Sequence, residues 1–156
     1  MKTLNKIKFS LAIALLFMMT IVSGCDSNDD NSATVNSPIN VINTVNNGTW
    51  RITNYFDTDH DETASFNGYN FTFGNSNVLT ATNGTNTYTG TWSVTDSNSN
   101  DDSISDLDFN IAFGLPAQFT ELTDDWEIVE RTASMLRLQD VSGGGGGTDL
   151  LTFTKN

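Results

Sequence analysis

The chain of 156 residues holds one cysteine and one histidine. Thiolate and imidazole chemistry therefore have one candidate each. His60 lies in Asp57-Thr58-Asp59-His60-Asp61-Glu62. Alternating aspartates suit Ca²⁺, a hard cation that takes roughly six to eight oxygen ligands. Asp57, Asp59 and Asp61 are thus the candidate metal ligands, and Ca²⁺ the one candidate cofactor. The segment starts like a calcium loop, but Glu62 stands where that loop has its glycine and Gly68 where it has its closing glutamate, so an EF-hand is excluded. A solvated acidic loop is the competing reading, and Asp101, Asp102 and Asp106 form a second one. A neighbouring carboxylate holds His60 charged more readily than it poises the ring as a base. No serine sits at a nucleophile elbow, and no glycine-rich loop leads from a strand into a helix. We expect no catalytic residues and no enzyme.

Cys25 follows an apolar run and precedes an acidic one. Lys2, Lys6 and Lys8 make the start positive, and residues 11–21 (LAIALLFMMTI) are an apolar core. Small residues Ser23 and Gly24 then lead into Cys25. A charged start, an apolar core of roughly 7–15 residues and a small-residue exit describe a secretory signal peptide over residues 1–24. The run is shorter than the roughly 20 apolar residues of a spanning helix.

Val22-Ser23-Gly24-Cys25 resembles the lipobox of bacterial lipoproteins. The resemblance implies that Cys25 becomes the first residue of the mature chain, with a diacylglycerol on its sulfur and an acyl chain on its new amino group. Each buried methylene contributes about 0.8 kcal/mol, and one chain anchors only marginally, whereas two or three hold firmly. No second thiol remains for a disulfide, a thiolate metal site or a nucleophile.

Past residue 24, four basic residues (Arg51, Arg131, Arg137, Lys155) stand against 19 acidic ones, a formal charge of −15. Such a surface repels nucleic acid and anionic lipid, so the partners expected are the membrane, through the anchor, and cationic groups. Residues 26–47 are rich in Asp, Asn, Ser and Thr without a clear period, and read as an acylated, flexible tether from Cys25. A Gly/Ser-like chain of this length reaches about 25 Å. Residues 39–45 (INVINTV) could pair transiently as a strand. Asp26, Asp29 and Asp30 resemble the export signal of surface lipoproteins in Bacteroidota, which implies the outer membrane and the cell surface.

Residues 48–156 alternate with period two, the mark of half-buried strands. Trp50, Ile52 and Phe56 share one face, with Arg51, Thr53 and Tyr55 on the other. Seven further strands follow, around residues 69–73, 78–82, 87–94, 107–113, 126–128, 136–138 and 151–153. Asn75-Ser76-Asn77 and Asn83-Gly84-Thr85 suit hairpin turns. Residues 115–122 have room for one helical turn. The pattern predicts an all-β, antiparallel, eight-stranded up-and-down meander closed into a barrel, since closure removes exposed edges. An open, curved sheet is the alternative.

Gly48-Thr49-Trp50 resembles the Gly-x-Trp opening of lipocalins. Trp50-Arg51-Ile52, Asp61-Glu62-Thr63, the run from Phe66 to Phe73 (FNGYNFTF), Gly90-Thr91-Trp92, Asp124-Asp125-Trp126 and Leu151-Thr152-Phe153 are similar to the lipocalin-like lipoproteins of Bacteroidota. The resemblance implies a lipocalin-like barrel holding a small apolar molecule or a peptide. It also implies an arginine packed over Trp50, for which Arg131 and Arg137 are both candidates. Asp102-Ser103-Ile104 resembles an O-glycosylation acceptor of exported Bacteroidota proteins, making Ser103 the candidate.

An eight-stranded barrel has room for packed side chains or for one small ligand. Trp50, Phe56, Tyr69, Phe71, Phe73, Trp92, Phe109, Phe113, Trp126 and Phe153 point inward on this pattern. The candidate ligand-binding residues are Trp50, Tyr69, Tyr88, Trp92 and Trp126, with Tyr88 and Trp92 together at a mouth. The leading expectation is a binding module. The rival is a structural or protein-interaction module whose barrel is full, and interior volume separates the two.

Overall fold

The structure is a computed structural model, and it describes residues 37–97, 103–142 and 146–156. Residues 1–24, Cys25, Asp26, Asp29, Asp30, Asp101 and Asp102 lie outside these residues, and with them the expected signal peptide and anchor.

The strands are β1 (Trp50–Asp57), β2 (His60–Asp61), β3 (Asn70–Phe73), β4 (Val78–Thr82), β5 (Thr87–Asp96), β6 (Leu107–Ala112), β7 (Asp124–Arg131), β8 (Met135–Ser142) and β9 (Gly147–Lys155). From β3 onward each strand pairs antiparallel with the next, and β9 returns to β1. Eight strands close the barrel, and β2 is a two-residue addition to the end of β1. The period-two pattern of the sequence thus becomes a closed meander. Closure leaves no long edge to pair with another chain.

The join between β1 and β3 is short: Trp50 opposite Phe71 is their one register pair. Beyond it a side chain takes over from the ladder. Thr63 Oγ1 accepts from the Tyr55 amide at 2.8 Å, and the Glu62 amide donates to the Tyr55 carbonyl at 2.9 Å. Then β2 resumes the pairing, with Phe56 opposite Asp61.

Two register shifts re-aim side chains. The first, between Ile52 and Asn54 of β1, turns Tyr55 into the core and leaves Phe56 only half-buried. Simple alternation had placed these two the other way round. An extra residue in one strand reverses the faces of all that follow, and Thr53 is that residue here. The second shift, between Ile128 and Glu130 of β7, sets Glu130 opposite exposed Arg137 and Arg131 opposite buried Leu136. Arg131 is thereby directed toward the end of the barrel where β1 begins.

That end is covered by helix α1 (Pro38–Val45), which corrects the expectation of a flexible tether over this stretch. Val41 and Val45, one helical turn apart, are fully buried, and half-buried Ile42 packs on the core. The signals for a helix were present: Pro38 at a helix start, where its fixed φ is tolerated, and apolar residues at i and i+4. Asn and Thr have poor intrinsic helix propensity, so the stretch depends on burial of those valines. The opposite end is closed by the 3-10 turn Thr63–Phe66 and the short helix α2 (Ala117–Thr120).

Candidate functional site

The interior is a stack of aromatic rings. Trp50, Tyr55, Phe66, Phe71, Phe73, Phe109, Phe119, Trp126 and Phe153 are all essentially inaccessible. Phe119, carried by α2, is 0% exposed. Its ring centroid lies 5.0 Å from Tyr69, 5.0 Å from Tyr88, 5.1 Å from Phe113, 5.4 Å from Phe66 and 6.0 Å from Phe71. It plugs the mouth at which strand alternation alone would leave an opening. Sequence alternation missed Phe66 and Phe119 because both sit on helical turns between strands.

The five rings expected to line a ligand cavity are part of this packing or of its rim. Trp50 and Trp126 are buried, and their indole nitrogens donate to Val45 O at 2.9 Å and Leu122 O at 3.1 Å. Trp92 donates to Gly74 O at 3.0 Å and stacks on Phe109 at 5.8 Å. Every indole N–H is thus already used by a backbone carbonyl. Tyr69 and Tyr88 lie 5.9 Å apart, and the side-chain hydrogen bond with Tyr69, followed by burial, pushes the Tyr88 phenol above its usual range. Tyr88 and Trp92 do not share a mouth. Tyr88 packs against Phe119 at the α2 end, whereas Trp92 lines a groove with Ile42 of α1.

Tyr55 reaches across the α2 end and donates to the Glu121 carbonyl at 2.9 Å. Burial first, and then the carboxylates of Asp57, Glu121, Asp149 and Glu62, push its phenol far above the usual range. It serves as a buried hydrogen-bond donor, not as an acid at neutral pH.

The three aspartates considered for Ca²⁺ are not assembled. Asp59 pairs with His60 on an exposed turn, and Asp61 accepts from the Thr63 amide at 3.0 Å. Hydrogen bonds from Thr63 hold Asp61 below the usual carboxylate range. The turn is held instead by Asp149, which accepts from the Thr58 amide at 2.7 Å. Among the described residues no three His, Cys, Asp or Glu side chains are grouped so as to hold a metal ion. Ser103 is exposed, and its carbonyl accepts from the Asp106 amide at 3.2 Å.

The cation over Trp50 is a lysine and not an arginine. Lys155 Nζ stands 5.9 Å from the Trp50 ring centroid. Arg131 lies beside helix α1, with Nη1 donating to Thr44 Oγ1 at 2.8 Å, while Arg137 pairs with Glu130 at 2.9 Å on the outer face. Arg131 and Lys155 line one cleft of about 580 Å³ together with Asn40, Asn43, Thr44, Asn47 and Ala133. Sequence reasoning did not find this cleft, because its cations lie 24 positions apart on different strands and its amides lay in the supposed tether.

The outer face of β6 and β7 sets one pair of like charges in register, with a further carboxylate, Asp125, on the same face. Asp108 stands opposite Glu127 and Asn110 opposite Asp125. Partial burial, followed by Asp125, Glu127 and Asp96, raises the Asp108 carboxyl above its usual range. Burial also leads the upward shift of Asp124.

The fold and its closed, ring-filled interior define an all-β barrel of eight antiparallel strands. No protein-family model matches the chain, and no curated protein matches it. Among solved structures, it is similar to a DUF4847 family protein from Bacteroides vulgatus at 17% identity, with 74% of this chain and 97% of that chain covered and a TM-score of 0.49. Among the described residues no helix is long and apolar enough to cross a membrane.

Proposed function

We propose that this chain is an exported, lipid-anchored barrel that works through its outer surface, as an interaction or structural module without catalysis. On this reading it does not carry an apolar molecule in its lumen. The observation that carries the reading is the position of Phe119, in ring contact with Phe66 of the 3-10 turn, Phe71 of β3, Tyr88 of β5, and Tyr69 and Phe113 just outside β3 and β6, at the end of the barrel away from helix α1. A ligand pocket of the usual kind is roughly 300–1,000 Å³ of concave space with a few convergent polar groups. Here three indoles have spent their N–H groups on backbone carbonyls. The anchor half of the reading rests on Lys2, Lys6 and Lys8, the apolar core of residues 11–21 and Cys25 behind it. Placement at the outer membrane and cell surface rests on the acidic residues after Cys25.

Native mass spectrometry of the full chain, purified in non-ionic detergent from its own host, tests both halves. The expected mass is a chain beginning at Cys25 with acyl chains on that residue and no further small molecule. A stoichiometric apolar ligand released from the folded protein would overturn the filled-barrel reading. An unacylated Cys25, or a Cys25→Ala chain that still partitions with envelopes, would overturn the anchor.

A further inference from the structure

We propose that the cleft between helix α1 and the ends of β7 and β9 binds an oxyanion, a phosphate or sulfate group carried on a hydroxylated body. Two of the four cations past residue 24 meet there, on a chain of net charge −12, and among the described residues that line the cleft none is acidic. Both cations are brought in by backbone geometry. The register shift in β7 turns Arg131 to the barrel end, and Thr44 Oγ1 then orients its guanidinium at 2.8 Å. The Lys155 stem crosses over Gly48, where a Cβ would stand 2.8 Å from its Cε, and its ammonium stands 5.9 Å above Trp50. Gly48 has φ +93, a conformation that a side chain resists. A planar guanidinium fork and a point-charge ammonium are the usual complement of a tetrahedral oxyanion.

Helix α1 supplies the rest of the recognition. Its apolar stripe, Val41 and Val45, is buried, so Asn40, Asn43 and Thr44 on the adjoining stripe, continued by Asn47, line the cleft. Each asparagine amide offers donors and an acceptor, which suits hydroxyl groups beside the anion. At about 580 Å³ the cleft is larger than a bare ion needs. The N-terminal chain toward Cys25 also leaves from this helix, so the anion could be a lipid headgroup phosphate or one free in solution. This site lies outside the ring-filled interior and stands whether or not the lumen holds a ligand.

The test is nuclear magnetic resonance titration of the isotope-labelled full chain in non-ionic detergent, with inorganic phosphate and, at equal ionic strength, chloride. Saturable shifts at the amides of Asn40, Asn43 and Asn47 and at the Trp50 indole are expected with phosphate and not with chloride. Lys155→Gln should weaken binding about tenfold, the scale of one charge-assisted hydrogen bond, and Lys155→Arg should restore it. Arg131→Gln should do the same where its spectrum remains folded. Equal shifts with chloride, no saturation with phosphate, or unchanged affinity in Lys155→Gln would overturn the proposal. Repeating the titration in phosphatidylglycerol vesicles separates the sources. A headgroup ligand shifts the cleft signals before phosphate is added and leaves nothing to titrate, whereas a soluble ligand still titrates.

Discussion

The Trp50 indole donates its N–H to the Val45 carbonyl at 2.9 Å. This bond joins the first residue of the barrel to the last residue of helix α1 and leaves that carbonyl satisfied at a buried helix end. Helix and barrel are therefore one folded unit.

Val45→Ala removes the two γ-methyl groups of a fully buried side chain. The expected loss is about 2 kcal/mol, from transfer plus the residual cavity, read as a lower urea midpoint. Ile39→Ala on the exposed side of the same helix serves as the comparison, with no resolvable change expected. A tether would leave both variants at the parent midpoint.

Phe119→Ala withdraws the plug of the α2 end. Roughly 3–5 kcal/mol should be lost, because five rings lose their common neighbour. The space left is apolar and should stay dry. Saturating benzene should then raise the melting temperature of the variant by mass action and leave the parent unmoved.

Gly90→Ala should be costly although alanine is small. A Cβ at this position would collide with the Ala112 carbonyl and stand 2.7 Å from Phe113 Cδ1. Backbone cannot yield as a side-chain tip does, so a loss of about 1–3 kcal/mol or more is expected. Gly114→Ala, with open space around its Cβ, is the matched control in the same thermal melt.

Asp108→Asn should stabilise the protein at neutral pH. The Asp108 carboxyl is raised above its ordinary 3.8 by partial burial and by Asp125, Glu127 and Asp96. The folded state therefore binds its proton more tightly than the unfolded state does. Its contribution to stability is complete below pH 3.8 and is lost as pH rises through the higher folded value. The asparagine variant should flatten that part of the stability-against-pH curve. Because the group is largely solvated, the gain should stay within about 1 kcal/mol and shrink with added salt.

The eight strands and their closure were legible in the sequence, because alternation such as Tyr69, Phe71 and Phe73 against Asn70 and Thr72 leaves a sheet one apolar face to bury. The hairpin turns were legible for a local reason as well. Asn77 and Ser76 adopt positive φ in the turn between β3 and β4, as a tight hairpin requires. The strand pattern and the turns depend on near neighbours in the chain, whereas the closing pair sets Trp50 of β1 opposite Lys155 of β9.

What the tertiary structure decided depends on partners far along the chain. Whether Tyr55 or Phe56 faces inward was set by a register shift against β9, and alternation carries no record of an inserted residue. Whether Asn-rich residues 38–45 coil or float was set by a barrel end that buries Val41 and Val45. Whether the lumen is a cavity was set by Phe119, a ring on a connecting turn that no strand pattern counts. The meeting of Arg131 with Lys155 likewise came from the shift in β7 and the return of β9 to β1. Periodicity fixes which residues must leave water, and long-range register fixes which of them meet.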